Sequence, residues 1–296
     1  MPSPSKGTPS VTIAQAVGLG LLQGLTEFLP VSSSGHLVLA RALFQIEGAA
    51  VTFEVLLHLA SLVAILIYFR REILSVFTTR RRLIVPLVVG TIPAAVVGVL
   101  LRHQIETMFD KPLMVGVALL FTATVLLLSE RLATDERSLD QVKWEDGLWI
   151  GMAQAIALLP GVSRSGMTVG GGLASGLERR AAVAFAFLLG AIAIAGAGVL
   201  KAKDMVKEAR MGEGRAAVVE SPPATAETGA GQGQPSTAHG QMRGAMAAGF
   251  VAALVASLAA LALLVHIVRR KCLIWFAIYC YAVGGCVVLA KLTGLW

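Results

Sequence analysis

The sequence predicts an all-α integral membrane protein built as an inverted repeat, each half a re-entrant helical hairpin plus three transmembrane helices. Three observations carry that prediction. Of the 296 residues, 56% are hydrophobic and only 15% charged, with a mean hydropathy of +0.75; a soluble domain has roughly a quarter of its residues charged. Six apolar runs approach the ~20 residues a helix needs to cross a bilayer core. One bent, serine-bearing stretch also occurs twice, at Gln23–His36 (QGLTEFLPVSSSGH) and Gln154–Thr168 (QAIALLPGVSRSGMT).

At an offset of 131 positions, Gly20, Gln23, Val31, Ser32, Ser34 and Gly35 fall on Gly151, Gln154, Val162, Ser163, Ser165 and Gly166. Elsewhere the chemistry differs: Glu27 faces Leu158, Ser33 faces Arg164, His36 faces Met167 and Leu37 faces Thr168. One copy carries an acid–base set, the other a fixed cation and an added hydroxyl.

In chain order, Met1–Ser10 is polar and no cleavable signal peptide is expected. Val11–Leu29 is apolar and runs into the first motif. There Pro30 disfavours helix just before itself, and the serines after it are good N-caps. A short helix follows near Gly35–Phe44. A helix that stops at proline and restarts at serine in an apolar setting reads as a re-entrant hairpin. Such broken backbone is tolerated at membrane depth only where protein or a polar cavity satisfies it. Spans are predicted at Val51–Phe69, Leu83–Leu101 (kinked at Pro86 and Pro93) and Leu113–Ser129. Gly147–Leu159, Pro160 and a short helix near Gly166–Leu177 repeat the hairpin. The Gly170–Gly176 run reads as close helix packing, not as a nucleotide loop, because no strand precedes it. Spans at Ala181–Leu200, Gly244–Val268 and Cys272–Ala290 complete the second half. The chain 1–296 is thus one membrane domain, with 11–131 and 147–296 as its repeats.

An odd number of crossings in each half inverts the second relative to the first, a plan found in many transporters, with the site at the repeat interface. Arg70, Arg71, Arg80–Arg82, Arg131, Arg137, Lys143, Arg179, Arg180 and Arg269–Lys271 fall on one side, against Arg102 and Lys111 in the opposite short loop. The rich side is expected to be cytoplasmic. Both termini then face outward, as does the segment 201–243, whose Pro, Gly, Ser, Thr and Ala bias reads as a flexible loop. The net charge of +7 is therefore a topology signal, and no nucleic-acid partner is expected. Cys272, Cys280 and Cys286 lack metal-ligand or disulfide spacing and read as small buried hydrophobes.

Ionisable residues inside apolar spans are costly and invite a functional reading. Glu27 suits a metal ligand or general base, the plainer alternative being a carboxylate satisfied by hairpin amides. His36 follows Ser32, Ser33 and Ser34, and the hydroxyl of Ser33 suits a nucleophile, a phosphate donor or a helix cap. Arg164 cannot shed its proton and needs an anion at membrane depth. With Ser163, Ser165 and Thr168 around it at a helix start, it suits a phosphate site; pairing with Glu27 is the structural alternative. Glu54 and His58, four apart on one helix face, suit support from behind the site or a plain bond between spans.

The two motifs resemble those of the undecaprenyl pyrophosphate phosphatase family of the bacitracin-resistance type. TFEV at Thr52–Val55, the Arg180–Leu189 run and FAIY at Phe276–Tyr279 agree as well. The resemblance spans nearly the whole chain outside Lys201–Arg243. It implies hydrolysis of undecaprenyl diphosphate in the bacterial inner membrane, a divalent metal (Mg2+ or Ca2+), two re-entrant hairpins with six spans, and a site that opens outward. Glu27, Ser33, His36 and Arg164 match the family's catalytic positions. Ser32, Ser34, Gly35, Ser163, Ser165, Gly166 and Thr168 match the substrate-binding stretches. The chain departs from the family at Gln23, where an acidic metal ligand is common, at Cys280, where Arg is common, and at Ala184, where an acid is common. The partners expected are the lipid diphosphate, membrane lipid and, as an option, a second copy in a homodimer. Ser33, His36 and water all stay open as attacking groups. The rival reading is a transporter or flippase that uses the same anion site for a lipid phosphate or small anion.

Overall fold

The computed structural model describes residues 12–44, 51–108, 111–219 and 236–294. Among them there is no strand, only an isolated parallel bridge between Arg137 and Leu177. Helices α1 (Ile13–Phe28) and α2 (Ser33–Phe44) are followed by α3 (Val51–Tyr68), α4 (Arg70–Phe77), α5 (Ile84–Leu100), α6 (Arg102–Glu106) and α7 (Pro112–Leu132). The second half holds α8 (Trp144–Ile156), α9 (Arg164–Ala174), α10 (Arg179–Val219), α11 (Ser236–Arg269) and α12 (Ile274–Leu292).

Five helices are long and apolar enough to cross a membrane: Arg81–Leu100, Pro112–Leu132, Arg179–Asp204, Gln241–Arg269 and Ile274–Leu292. A sixth crossing exists if α3 and α4 count together, since they meet at a 72° bend at Phe69. The chain is a multi-pass helical membrane protein. Its outer faces carry exposed Val85, Val99, Val117, Val251, Trp275 and Leu289, large apolar side chains on the spans that a bilayer would cover. At 16, 12, 13 and 11 residues, α1, α2, α8 and α9 are each too short to cross about 30 Å of hydrocarbon at 1.5 Å per residue.

Two expectations are corrected. The segment 201–243 is not a loop throughout, because α10 continues to Val219 and α11 begins at Ser236. The stretch KAKDMVKEAR is made of good helix formers, and an apolar helix already running into it spares it the cost of nucleation. The Gly- and Pro-rich centre, 220–235, lies outside the described residues, as do 1–11. Of the three cysteines only Cys280 is buried; Cys272 is half-buried and Cys286 exposed, since α12 turns one face outward.

Glycines decide which helices touch. A Cβ at Gly20 of α1 would run into the carbonyl oxygen of Gly249 on α11, and one at Gly24 into that of Ala253. In the other half, Gly147 and Gly151 of α8 lie against the carbonyls of Pro86 and Gly90 on α5. Backbones this close need residues without side chains. α7 packs along α12 in the same way, through Gly116 and Gly284.

The largest core cluster joins Phe28, Ile65, Phe69, Ile150, Leu173, Phe185 and Leu261. Within it the Phe187 ring meets those of Phe28 edge-on and Phe69 face-on, with centroids 5.4 and 5.5 Å apart. On the arginine-rich side, charged pairs pin the connections. Arg137 donates to both oxygens of Asp146, at 2.9 and 2.7 Å, and Asp146 caps α8 through the amide of Lys143. Arg179, buried, bridges Glu130 and Asp135. Arg80 and then Arg82 hold the exposed Asp140 carboxyl below its ordinary pKa.

Candidate active site

Both serine motifs make the same pair of hydroxyl bonds, on different backbones: Ser163 is extended, and the left-handed residue of the second copy is Gly161. α1 ends at Phe28, Leu29 turns extended, and Ser32 takes a left-handed φ of +69°, a conformation uncommon outside glycine. The Ser32 hydroxyl then accepts from the Gly35 amide at 3.3 Å and meets Ser34 Oγ at 3.3 Å. In the second copy Ser163 caps α9 by accepting from the Gly166 amide at 3.1 Å, and it meets Ser165 Oγ at 3.1 Å. Serine satisfies the orphan amides of a helix start, and the duplicated spacing reproduces the bonds one for one. Ser165 Oγ donates across to the Leu29 carbonyl at 3.2 Å, which docks one motif on the other.

Between the motifs lies a chamber of about 670 Å³. Its polar lining is Thr26, Glu27, Ser32, Ser33, Ser34, Glu54, His58, Ser163, Arg164 and Lys201; Leu59, Leu62, Leu158, Ile194 and Val199 supply apolar wall. Glu27 is the centre of the polar end. Its Oε2 accepts from Ser33 Oγ at 2.6 Å and from Gln23 Nε2 at 2.9 Å, and His58 Nε2 stands 3.8 Å away. Its Oε1 faces Arg164 Nη1 at 3.5 Å. That nitrogen is buried and has no hydrogen-bond partner, so the pair is an ion contact with an unspent donor.

Several expected residues are elsewhere. His36 is buried but does not line the chamber. Its Nδ1 bonds the Ser32 carbonyl at 2.8 Å and its Nε2 the Tyr279 hydroxyl at 2.7 Å, and the two rings stack. Its ring is claimed by Tyr279 of α12. Gly35 and Gly166 spend their amides on the serine caps. Ser165 is tied to Leu29, and Thr168 donates to the Arg164 carbonyl at 2.8 Å. These four build the turns and do not line the space. Gln23 is fully buried against Glu27, off the lining, with its Oε1 unpartnered. Glu54 and His58 move the other way: they line the chamber itself, with His58 Nδ1 on the Glu54 carbonyl at 2.9 Å.

The sequence reading missed Lys201 and Tyr279. Lys201 was legible as a charge ending an apolar run. The tyrosine was part of FAIY, but nothing local tied it to a histidine so distant in sequence.

The lining's possible metal donors are hard oxygens, two carboxylates and five hydroxyls. Among the described residues no three His, Cys, Asp or Glu side chains form a metal cage. That set fits a magnesium or calcium ion shared between one or two carboxylates and a ligand's phosphate oxygens, the usual way magnesium is held.

A polytopic helical protein whose chamber joins a carboxylate, hydroxyls and an unspent guanidinium is a membrane protein with a polar site fit for an anionic group. The chain belongs to the family of bacitracin resistance protein BacA, whose model matches residues 16–286. It is 34% identical to an undecaprenyl-diphosphatase of Carboxydothermus hydrogenoformans, over 95% of this chain and 98% of that one. To the undecaprenyl-diphosphatase of Rhodopirellula baltica it is also 34% identical, over 95% and 98%. To that of Moorella thermoacetica it is 41% identical, over 66% and 78%.

Proposed function

We propose that this chain hydrolyses undecaprenyl diphosphate to undecaprenyl phosphate and inorganic phosphate inside the chamber, recycling the lipid carrier for cell-wall synthesis. The observation that carries the reading is the buried Nη1 of Arg164, 3.5 Å from Glu27 and without a hydrogen bond. A buried unmet donor on a fixed cation is costly, and a phosphoryl oxygen would meet it. Phosphoryl transfer needs chiefly positioning and charge stabilisation, which a guanidinium fork and converging hydroxyls supply.

The geometry favours Ser33 as the attacking group. Its hydroxyl already donates to Glu27, so the proton passes to the carboxylate as Oγ bonds the terminal phosphorus. The bond from that phosphorus to the bridging oxygen breaks, and undecaprenyl phosphate leaves as an anion that needs no proton. Water then attacks the phosphoserine. The protonated Glu27 returns its proton to Ser33 Oγ as that P–O bond breaks, and the water's own proton passes to a phosphoryl oxygen. Inorganic phosphate is released with both residues regenerated. Arg164 holds the phosphoryl oxygens through both steps. His36, bonded to the Ser32 carbonyl, holds the left-handed turn that presents Ser33. A divalent ion held by Glu27 and substrate, with Glu54 in reach of the same space, would neutralise charge on the phosphates.

The fold details belong to the same proposal. The two halves are inverted repeats and the short helix pairs re-entrant hairpins. In support, Gly20 and its counterpart Gly151 each press on a span, α11 and α5 respectively, that belongs to the other half. The arginine-rich side faces the cytoplasm of a bacterial cell and the chamber opens outward; in support, its lining extends to Ala202, at the end of the Arg179–Asp204 span away from Arg179. The membrane lipid is the other standing partner; a homodimer is checked by the mass of the detergent-solubilised protein.

The deciding experiment is phosphate release by purified protein in detergent, given undecaprenyl diphosphate with and without a chelator. Release without any membrane gradient supports a hydrolase; a transporter releases none.

A further inference from the structure

The mechanism above gives no role to one charged residue of the chamber, Lys201 on α10. Ile194, Ala197, Gly198 and Lys201 all line the space, at spacings that put them on one helix face. Ala195, Ala197 and Gly198 keep this wall thin, and a Cβ at Gly198 would meet nothing within 4 Å. Past this low stretch the lysine is the first long side chain. Three residues on, Asp204 pairs with Arg102 of α6 at 2.7 Å, and α6 adds Ile105 to the lining. His58, on the same lining, stands 3.8 Å from Glu27.

A prenyl diphosphate brings two phosphates and about three negative charges, by the ionisation that gives a phosphomonoester about −1.5 to −2. Arg164 is a single cation, partly offset by Glu27, at the polar end where the terminal phosphoryl reacts. The phosphate that joins the prenyl chain must lie between that end and the apolar walls. Lys201 is the other fixed cation on the lining, and lysine serves as a compact point charge for phosphate. We propose that Lys201 is a substrate-binding residue that holds the lipid-linked phosphate while Arg164 holds the terminal one. This rests on the phosphatase reading and adds a residue to it.

An exposed lysine at the end of a span also serves as an interfacial anchor. Lys203, exposed two residues on and absent from the lining, is the control for that. The experiment measures phosphate release from undecaprenyl diphosphate by the full-length parent, Lys201→Gln, Lys201→Arg and Lys203→Gln. Each protein is checked for an unchanged gel-filtration profile and melting temperature, with Lys201→Met replacing Lys201→Gln if the latter does not fold. Lys201→Gln should raise KM about tenfold with kcat within about threefold, the loss of one charge-assisted contact. Inhibition by undecaprenyl monophosphate should weaken in the same proportion, while inhibition by inorganic phosphate, held by Arg164, should not change. Lys201→Arg should restore most of the affinity. A parental KM in Lys201→Gln, an equal effect of Lys203→Gln, or unchanged inhibition by the monophosphate overturns the proposal. A parent that releases no phosphate removes the phosphatase reading instead, so the two failures are distinct.

Discussion

The guanidinium of Arg164 stands 3.5 Å from the carboxylate of Glu27, close enough to attract and too far for a good hydrogen bond. The two side chains come from different copies of the repeated motif and meet only in the folded chamber. Arg164→Ala should lower kcat by about 10²–10³, the scale of losing one preorganised donor at a developing charge. Arg164→Lys keeps the charge but loses the fork, so it should recover only a minor part. Phosphate release under saturating substrate measures both, and near-parental rates in either would remove Arg164 from the site.

Ser33 and His36 part company in the structure, and their variants should do the same. Ser33→Ala should lower kcat by about 10² or more, the range of a positioned catalytic group. Tyr279→Phe removes the bond to His36 Nε2 and should cost only a few-fold, because the ring keeps its hold on Ser32. Quenching during turnover should trap an acid-stable phosphoester on serine. An acid-labile, base-stable adduct would name His36 as the attacking group in its place.

Gln23 donates to Glu27 from a fully buried position. Gln23→Glu would set a second carboxylate there, and two carboxylates this close cannot both stay ionised without a cation between them. The variant should melt earlier than the parent in chelator and gain more on adding magnesium or calcium. Thermal shift against metal concentration reads this without any turnover. Equal shifts in the two proteins would show that residue 23 has no part in metal binding.

Gln154 is the counterpart of Gln23, and both of its side-chain polar atoms are buried without partners. The duplication explains the orphan: where Gln23 meets Glu27 four residues on, Gln154 has Leu158. Gln154→Met should therefore stabilise the protein by about 1–2 kcal/mol by removing an unmet polar group. A melting temperature at or below the parent's would show that the amide is satisfied after all.

At Gly198 the chamber has room. A Cβ there meets no neighbouring atom, so the fold should survive Gly198→Leu while the side chain fills space meant for substrate. KM should rise at least tenfold with the melting temperature within about 2 °C, since surface changes of this kind stay within about 0.5 kcal/mol. Unaltered kinetics would place the lipid diphosphate on another wall.

Apolar runs, the serine spacing and the charge asymmetry of the loops were enough to set the membrane class, the helices and the two motifs, because each is governed by contacts within a few residues. Glu27 and Arg164 stood out for a like reason, since a charge in an apolar run has a cost visible without coordinates, and Ser33 stood out as the middle of the serine run between them. The fates of His36, Gly35, Ser165, Gly166 and Thr168 were not. Whether an amide is free for phosphate or spent on a serine cap depends on the turn actually formed, and the His36 ring is claimed by Tyr279 from the last helix. The promotion of His58 and Lys201 to the chamber wall likewise depends on where α3 and α10 stand. Helix placement is set by which glycines let which backbones meet, and that is a property of the packed molecule and of no single stretch of chain.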